Sequence, residues 1–150
     1  MNFQFKLLRI NILPVAFFAT LAFCSCSDKG YDAEKTDALC QKILHGQASS
    51  SDYSDLIEME NLAFENRQAT MENMLEIQEP LKFNQEFQKN KADTAFIEMV
   101  DLSESAWRVL VLSQRDFNDD NYQRFEQLRD LRKIVDMLED DIARRLRANQ

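Results

Sequence analysis

Apolar positions along the chain form one continuous run near the start, then stripes recurring in steps of three and four, the signature of amphipathic helices. Thr36, Leu39, Cys40, Ile43 and Leu44 share one such face, and the spacing predicts a helix over 32–45 with Gly46 placed to end it. In SSSDYSDLIEM, Ser49 stands three residues before Asp52, a capping-box-like start whose acidic first turn suits the positive end of a helix dipole. Tyr53, Leu56, Ile57, Ala63, Phe64, Met71, Met74 and Leu75 then form one stripe, interrupted by Glu60 and Arg67, and Pro80 is expected to end that helix near Gln78. Residues 81–92 carry Phe83 and Phe87 one turn apart on a polar background, which reads as a short helix or a helical lead-in. From Asp93 the period is firm again through Phe96, Met99, Val100, Ser103, Ala106, Trp107 and Leu110; WRVLVLS alternates like a strand, but its flanks keep the helical period. Asn118 is placed to cap a last helix, with Phe125, Leu128, Leu131, Val135, Leu138 and Ile142 on its seam. Its end pairs Asp140 with Arg144 and Asp141 with Arg145 at i, i+4 spacing. NDDNYQRF repeats the start chemistry of SSSDYSDL, which is weak evidence for a duplication.

These elements predict an all-α fold: an antiparallel helical bundle of three long helices plus one shorter N-terminal helix, following a cleaved signal peptide. Scarce punctuation agrees with that, since only Gly30, Gly46 and Pro80 interrupt the chain after its first 25 residues.

The apolar run has a different character. MNFQFKLLRINILPVAFFATLAF places Lys6 and Arg9 before an apolar segment over 10–23, interrupted by Asn11 and Pro14. That is a signal-peptide profile. It falls short of the roughly 20 apolar residues needed to cross about 30 Å of hydrocarbon, so spanning is the weaker reading. The segment ends in LAFCSCSDKG, a small residue and then cysteine, which resembles the lipobox of bacterial lipoproteins. The resemblance implies cleavage by signal peptidase II before a cysteine that has received a diacylglyceryl group. Cys26 is favoured because small Ser25 precedes it and polar residues follow at once; Cys24 is the alternative, with Leu21 three residues before it but bulky Phe23 adjacent. The implied division is a lipoprotein signal peptide over 1–25, a lipidated cysteine and short tether over 26–31, and a bundle domain over 32–150. The competing reading is an ordinary cleaved signal that releases a soluble periplasmic protein.

Charge narrows the partners. The chain carries 18 Lys and Arg against 26 Asp and Glu, and loss of Lys6 and Arg9 with the signal leaves a net charge of about −10. A polyanion without a basic block is repelled by phosphate backbones, so no nucleic-acid partner is expected. Membrane contact is expected through the N-terminal lipid rather than through a basic helix face. With Cys26 acylated, Cys40 is left unpaired, and its place on an apolar stripe makes it a buried small side chain; without lipid, a Cys26–Cys40 disulfide becomes available.

Catalytic chemistry has few carriers. His45 is the single histidine and sits at a helix end, where it complements the dipole; two Glu-x-x-His motifs for a di-iron site cannot be assembled from it. Asp116, Asn118 and Asp120 have the 1, 3, 5 spacing of a calcium loop, but Asn121 stands where that loop needs glycine and Gln127 where it needs glutamate, and helix capping accounts for them without a metal. Glu60 and Arg67 either lie at the edge of their stripe with heads in water, or form a buried charge pair or polar groove. Phe83 and Phe87 either form a partner-facing patch or pack over the end of the bundle. No cofactor is expected. The expectation is a noncatalytic lipoprotein anchored in the outer membrane of a Gram-negative envelope and presenting its bundle to another envelope protein; the alternative is a small-ligand or divalent-cation binding module.

Overall fold

A computed structural model of the chain describes residues 30–113 and 119–150. Five helices follow one another: α1 (Ala33–Leu44), α2 (Ser50–Leu75), α3 (Pro80–Ala92), α4 (Thr94–Leu112) and α5 (Asp119–Ala148). The fold is all-α, with α2, α4 and α5 as the three long helices and α1 as the shorter N-terminal one. Residues 81–92 belong to a helix of their own. Cys24, Cys26, Asp116 and Asn118 lie outside the described residues.

Local chemistry sets each boundary. Asp32 caps α1 by accepting from the Lys35 backbone at 2.9 Å. Gly46 ends that helix at φ +67, a left-handed conformation that glycine adopts without a Cβ penalty, while its N–H and that of Gln47 reach back to Ile43 and Lys42. Ser49 and Asp52 form the full capping box of α2. The helix stops at Leu75, one turn earlier than Pro80 alone predicts. Pro80 instead opens α3 in its first turn, where its missing N–H costs no hydrogen bond. Asp93 closes α3 and caps α4 at once, accepting from the Ala95 and Phe96 backbones at 3.0 and 3.2 Å.

Contacts between helices fix the topology. Ser54 meets Asn121 near the starts of α2 and α5, Arg67 meets Glu139 further along, and Arg145 binds the Leu75 carbonyl at the ends, so these two helices run parallel. Helix α4 descends along α2, with Ser103 beside Glu60 and with Val100 and Arg67 lining a common cleft. The long helices therefore run up, down and up. Helix α1 runs antiparallel to α2, through Lys35–Asp55 and Lys42–Asp52, and packs on α4. Phe64, Leu56, Leu110, Leu128 and Val135 are fully enclosed where the long helices meet. Helix α3 lies across the end at which α2 finishes, and Phe83 plugs the core there at 1% exposure.

The interior begins before the first helix. Tyr31 is half-buried with a buried hydroxyl, and Gly30 lies against α2, where an added Cβ would sit 3.8 Å from the Leu62 Cδ1 atom.

Candidate functional site

Two of the polar residues that interrupt the α2 stripe, Glu60 and Arg67, stand seven residues apart and so project from the same side of the helix. They do not pair with each other. Glu60 is 0% exposed and accepts a hydrogen bond at Oε2 from the Ser103 hydroxyl, at 2.9 Å. Its Oε1 has no partner. Burial pushes its carboxyl up to about 8, against the opposing pull of Ser103 and of Arg132, and the Glu104 carboxylate adds to the rise. Glu60 is consequently a neutral carboxylic acid at neutral pH. Around it, burial, with a smaller contribution from the Glu60 carboxylate, holds the Tyr31 hydroxyl up at about 12 and the Cys40 thiol at about 11. Among the described residues Cys40 is a free, buried cysteine, and a thiol held this far from ionisation is a poor nucleophile.

Arg67 belongs to a second polar cluster. It pairs with Glu139 of α5 and approaches Glu104 of α4 at 3.7 Å. Arg132 of α5 also pairs with Glu104. Its guanidinium lies 5.3 Å from the Phe64 ring centre and 5.5 Å from that of Trp107, which stacks in turn on Phe125 at 5.1 Å. Glu104 thus joins one arginine from each parallel helix, and a shift of α4 by one turn breaks both links. Desolvation lowers the Arg67 affinity for its proton, while Glu104 opposes that effect. The Arg67 Nε and Arg132 Nη1 atoms are buried without partners.

Beyond this cluster the helices part. A cleft of about 380 Å³ opens between α2, α3, α4 and α5, walled by Met71, Met74, Phe87, Phe96, Val100 and Ile142. Its polar margin is Arg67, Glu139, Asn90 and Lys91. The cleft exists because α3 is too short and too polar to seal the space at the end of the long helices: of its thirteen residues only Phe83 is fully buried.

No protein-family model, curated protein or solved structure matches this chain. Its site must therefore be read from its own geometry.

The structure rearranges the residues singled out by pattern. Glu60 is inside the core, not at the edge of its stripe, and the alternative of a Glu60–Arg67 charge pair is not realised either, the two residues belonging to separate clusters. Phe83 is part of the core beneath the Arg145 guanidinium, which lies 4.7 Å from its ring centre, so it is not a partner-facing residue. Phe87, one turn on, walls the cleft. Arg144 pairs with Asp141 rather than Asp140, and Arg145 leaves its helix to bind the Leu75 and Ile77 carbonyls. Asp120 is exposed in the first turn of α5. Among the described residues no three His, Cys, Asp or Glu side chains are grouped to hold a metal ion, and no helix is long and apolar enough to cross a membrane. Pattern alone does not single out Glu104, Arg132 or Glu139. A weak signal for the last two existed: they lie seven apart on α5, flanking buried Val135.

Proposed function

We propose that this chain is a lipid-anchored, noncatalytic binding protein of a Gram-negative cell envelope, held to the outer membrane through Cys26 and working through the cleft between α2, α3, α4 and α5. The observation that carries the binding role is the cleft itself. Small-molecule sites are concave, mostly apolar, and bounded by a few polar groups, with volumes of about 300–1,000 Å³. The cleft here fits that description, at about 380 Å³ with an apolar wall and a charged margin. The lipobox-like LAFCSCSDKG supports the anchor, with Cys24 as the alternative attachment point.

Native mass spectrometry of the full chain, gently extracted from its own cells, tests both parts. The expected result is a chain beginning at Cys26 with acyl mass attached, and a noncovalent companion that disappears when Ala143, on the cleft wall, is replaced by Trp. An unmodified soluble chain removes the anchor. A companion retained equally by Ala143→Trp removes the cleft.

A second reading, docking of another envelope protein, is favoured by the opposite end of the bundle. Helices α1 and α4 finish there with Leu44 and Leu112 exposed at 61% and 77%. A photo-crosslinker at Leu112 that captures one envelope protein in cells, while a crosslinker at Lys89 on α3 does not, would support it.

A further inference from the structure

The margin of the cleft is not electrically balanced. Arg67 and Glu139 satisfy each other across it, and Lys89, which points elsewhere, is held by Glu86 at 3.0 Å. Lys91 lines the cleft, yet it has no carboxylate partner among the described residues. It stands four residues after Phe87, so both belong to the same face of α3. A lysine so placed can lay its stem along the apolar wall and keep its ammonium at the mouth. In a chain of net charge −8, an uncompensated cation beside an apolar cleft singles this place out for an anionic group attached to hydrocarbon.

Lining and charge select the occupant. The wall is apolar while the margin carries the Lys91 ammonium, a combination that a single hydrocarbon chain with an anionic head matches. Each methylene taken from water contributes about 0.8 kcal/mol, and Met71 and Met74 supply flexible, polarisable walls that adapt to such a chain.

We propose that the cleft binds a single-chain anionic amphiphile, a free long-chain carboxylate, with its hydrocarbon tail along Met71, Met74, Phe87 and Ile142 and its carboxylate at Lys91. This rests on the cleft reading above and names its ligand class. The tail is enclosed by all four helices around the opening, and the head remains at the solvent edge, where a charged group keeps its hydration and gains the Lys91 ammonium.

The test uses the full chain as purified from cells, held in nanodiscs of neutral phosphatidylcholine, with methyl-labelled methionines followed by NMR while sodium dodecanoate is added. The Met71 and Met74 methyl signals are expected to shift saturably, with Met137, exposed on the surface of α5, unmoved. Lys91→Glu is expected to weaken binding about tenfold, and Ala143→Trp to abolish it, with the core Met99 signal showing that each variant is folded. Unmoved Met71 and Met74 signals overturn the proposal. So does equal binding of dodecanoate by the parent and Lys91→Glu, which reports a greasy surface that does not read the head group. If dodecanoate fails while Ala143→Trp still strips a native companion, the ligand class falls and the cleft reading survives.

Discussion

The Ser103 hydroxyl and the Glu60 carboxyl meet 2.9 Å apart in the core, joining α4 to α2 across 43 residues of sequence. The bond is single, leaving Oε1 empty-handed, so the site tolerates a neutral acid better than a carboxylate.

Stability therefore falls as pH rises through this group. In the unfolded chain Glu60 ionises near 4.5, and in the fold near 8. Below about 4.5 both states hold the proton and the contribution is intact; between the two values folding takes up a proton and stability declines with pH; above about 8 the loss is complete. The full loss is expected to be about 3–5 kcal/mol, the cost of an uncompensated buried charge. Urea unfolding of the parent and Glu60→Gln across this range isolates it: the difference should grow with pH in favour of the glutamine variant. Parallel curves would sink the idea of a buried neutral acid.

Arg132 acts through its stem as well as its charge, because it covers Phe64 and Trp107 while binding Glu104. Arg132→Ala is expected to cost about 2–3 kcal/mol, and Arg132→Met to recover more than half by keeping the apolar cover. Chemical denaturation measures both, and equal losses would show that charge alone matters.

The start of α2 depends on Ser49, whose side chain accepts from the Asp52 backbone while Asp52 accepts from the Ser49 N–H at 2.8 Å. Ser49→Ala should cost about 1 kcal/mol, and Ser49→Asn only a few tenths. Thermal melts of the two variants separate loss of the cap from a general effect of surface substitution.

Phe83 and Phe87 should behave differently despite their shared spacing. Phe83→Ala opens the core and is expected to cost about 3–5 kcal/mol. Phe87→Ala removes part of a cleft wall, with a smaller effect on unfolding and a larger one on dodecanoate binding. A Phe87→Ala loss as large as that of Phe83→Ala would place both in the core.

Cys40 should resist thiol reagents in the folded chain. Its thiol is buried and ionises near 11, so labelling at neutral pH should follow opening of α1 and accelerate with urea. Labelling at the rate of a free thiol without denaturant would contradict its burial.

The stripes were readable because burial and helical period coincide: Leu56, Phe64, Met99, Leu110, Leu128 and Val135 are all enclosed where pattern places them. Caps at Ser49 and Asp93 are local chemistry, equally open to reading from sequence. Partners were not. Glu60 and Arg67 interrupt one stripe in the same way, yet one meets a hydroxyl and the other two carboxylates, a difference set by which residues of α4 and α5 arrive opposite. Arg145 looked like a partner for Asp141 at i, i+4, but carbonyls left open at the end of α2 hold it instead. The cleft was illegible for the same reason: Met71, Phe87 and Ile142 come from three helices, and nothing in their individual patterns reports the space between them.

Under the proposed anchor, the short lead into Gly30 would set the mooring of the whole molecule. If Cys26 carries the acyl group, four chain steps lead from it to the Gly30 backbone seated against Leu62, and at about 3.5 Å per step the leash reaches about 14 Å. Helix α5, with 30 residues, is about 45 Å long. A hull three times longer than its leash cannot patrol the space beyond the membrane. A chain anchored through Cys26 would instead roll at the lipid surface, within reach of whatever single chains leave the leaflet beneath it.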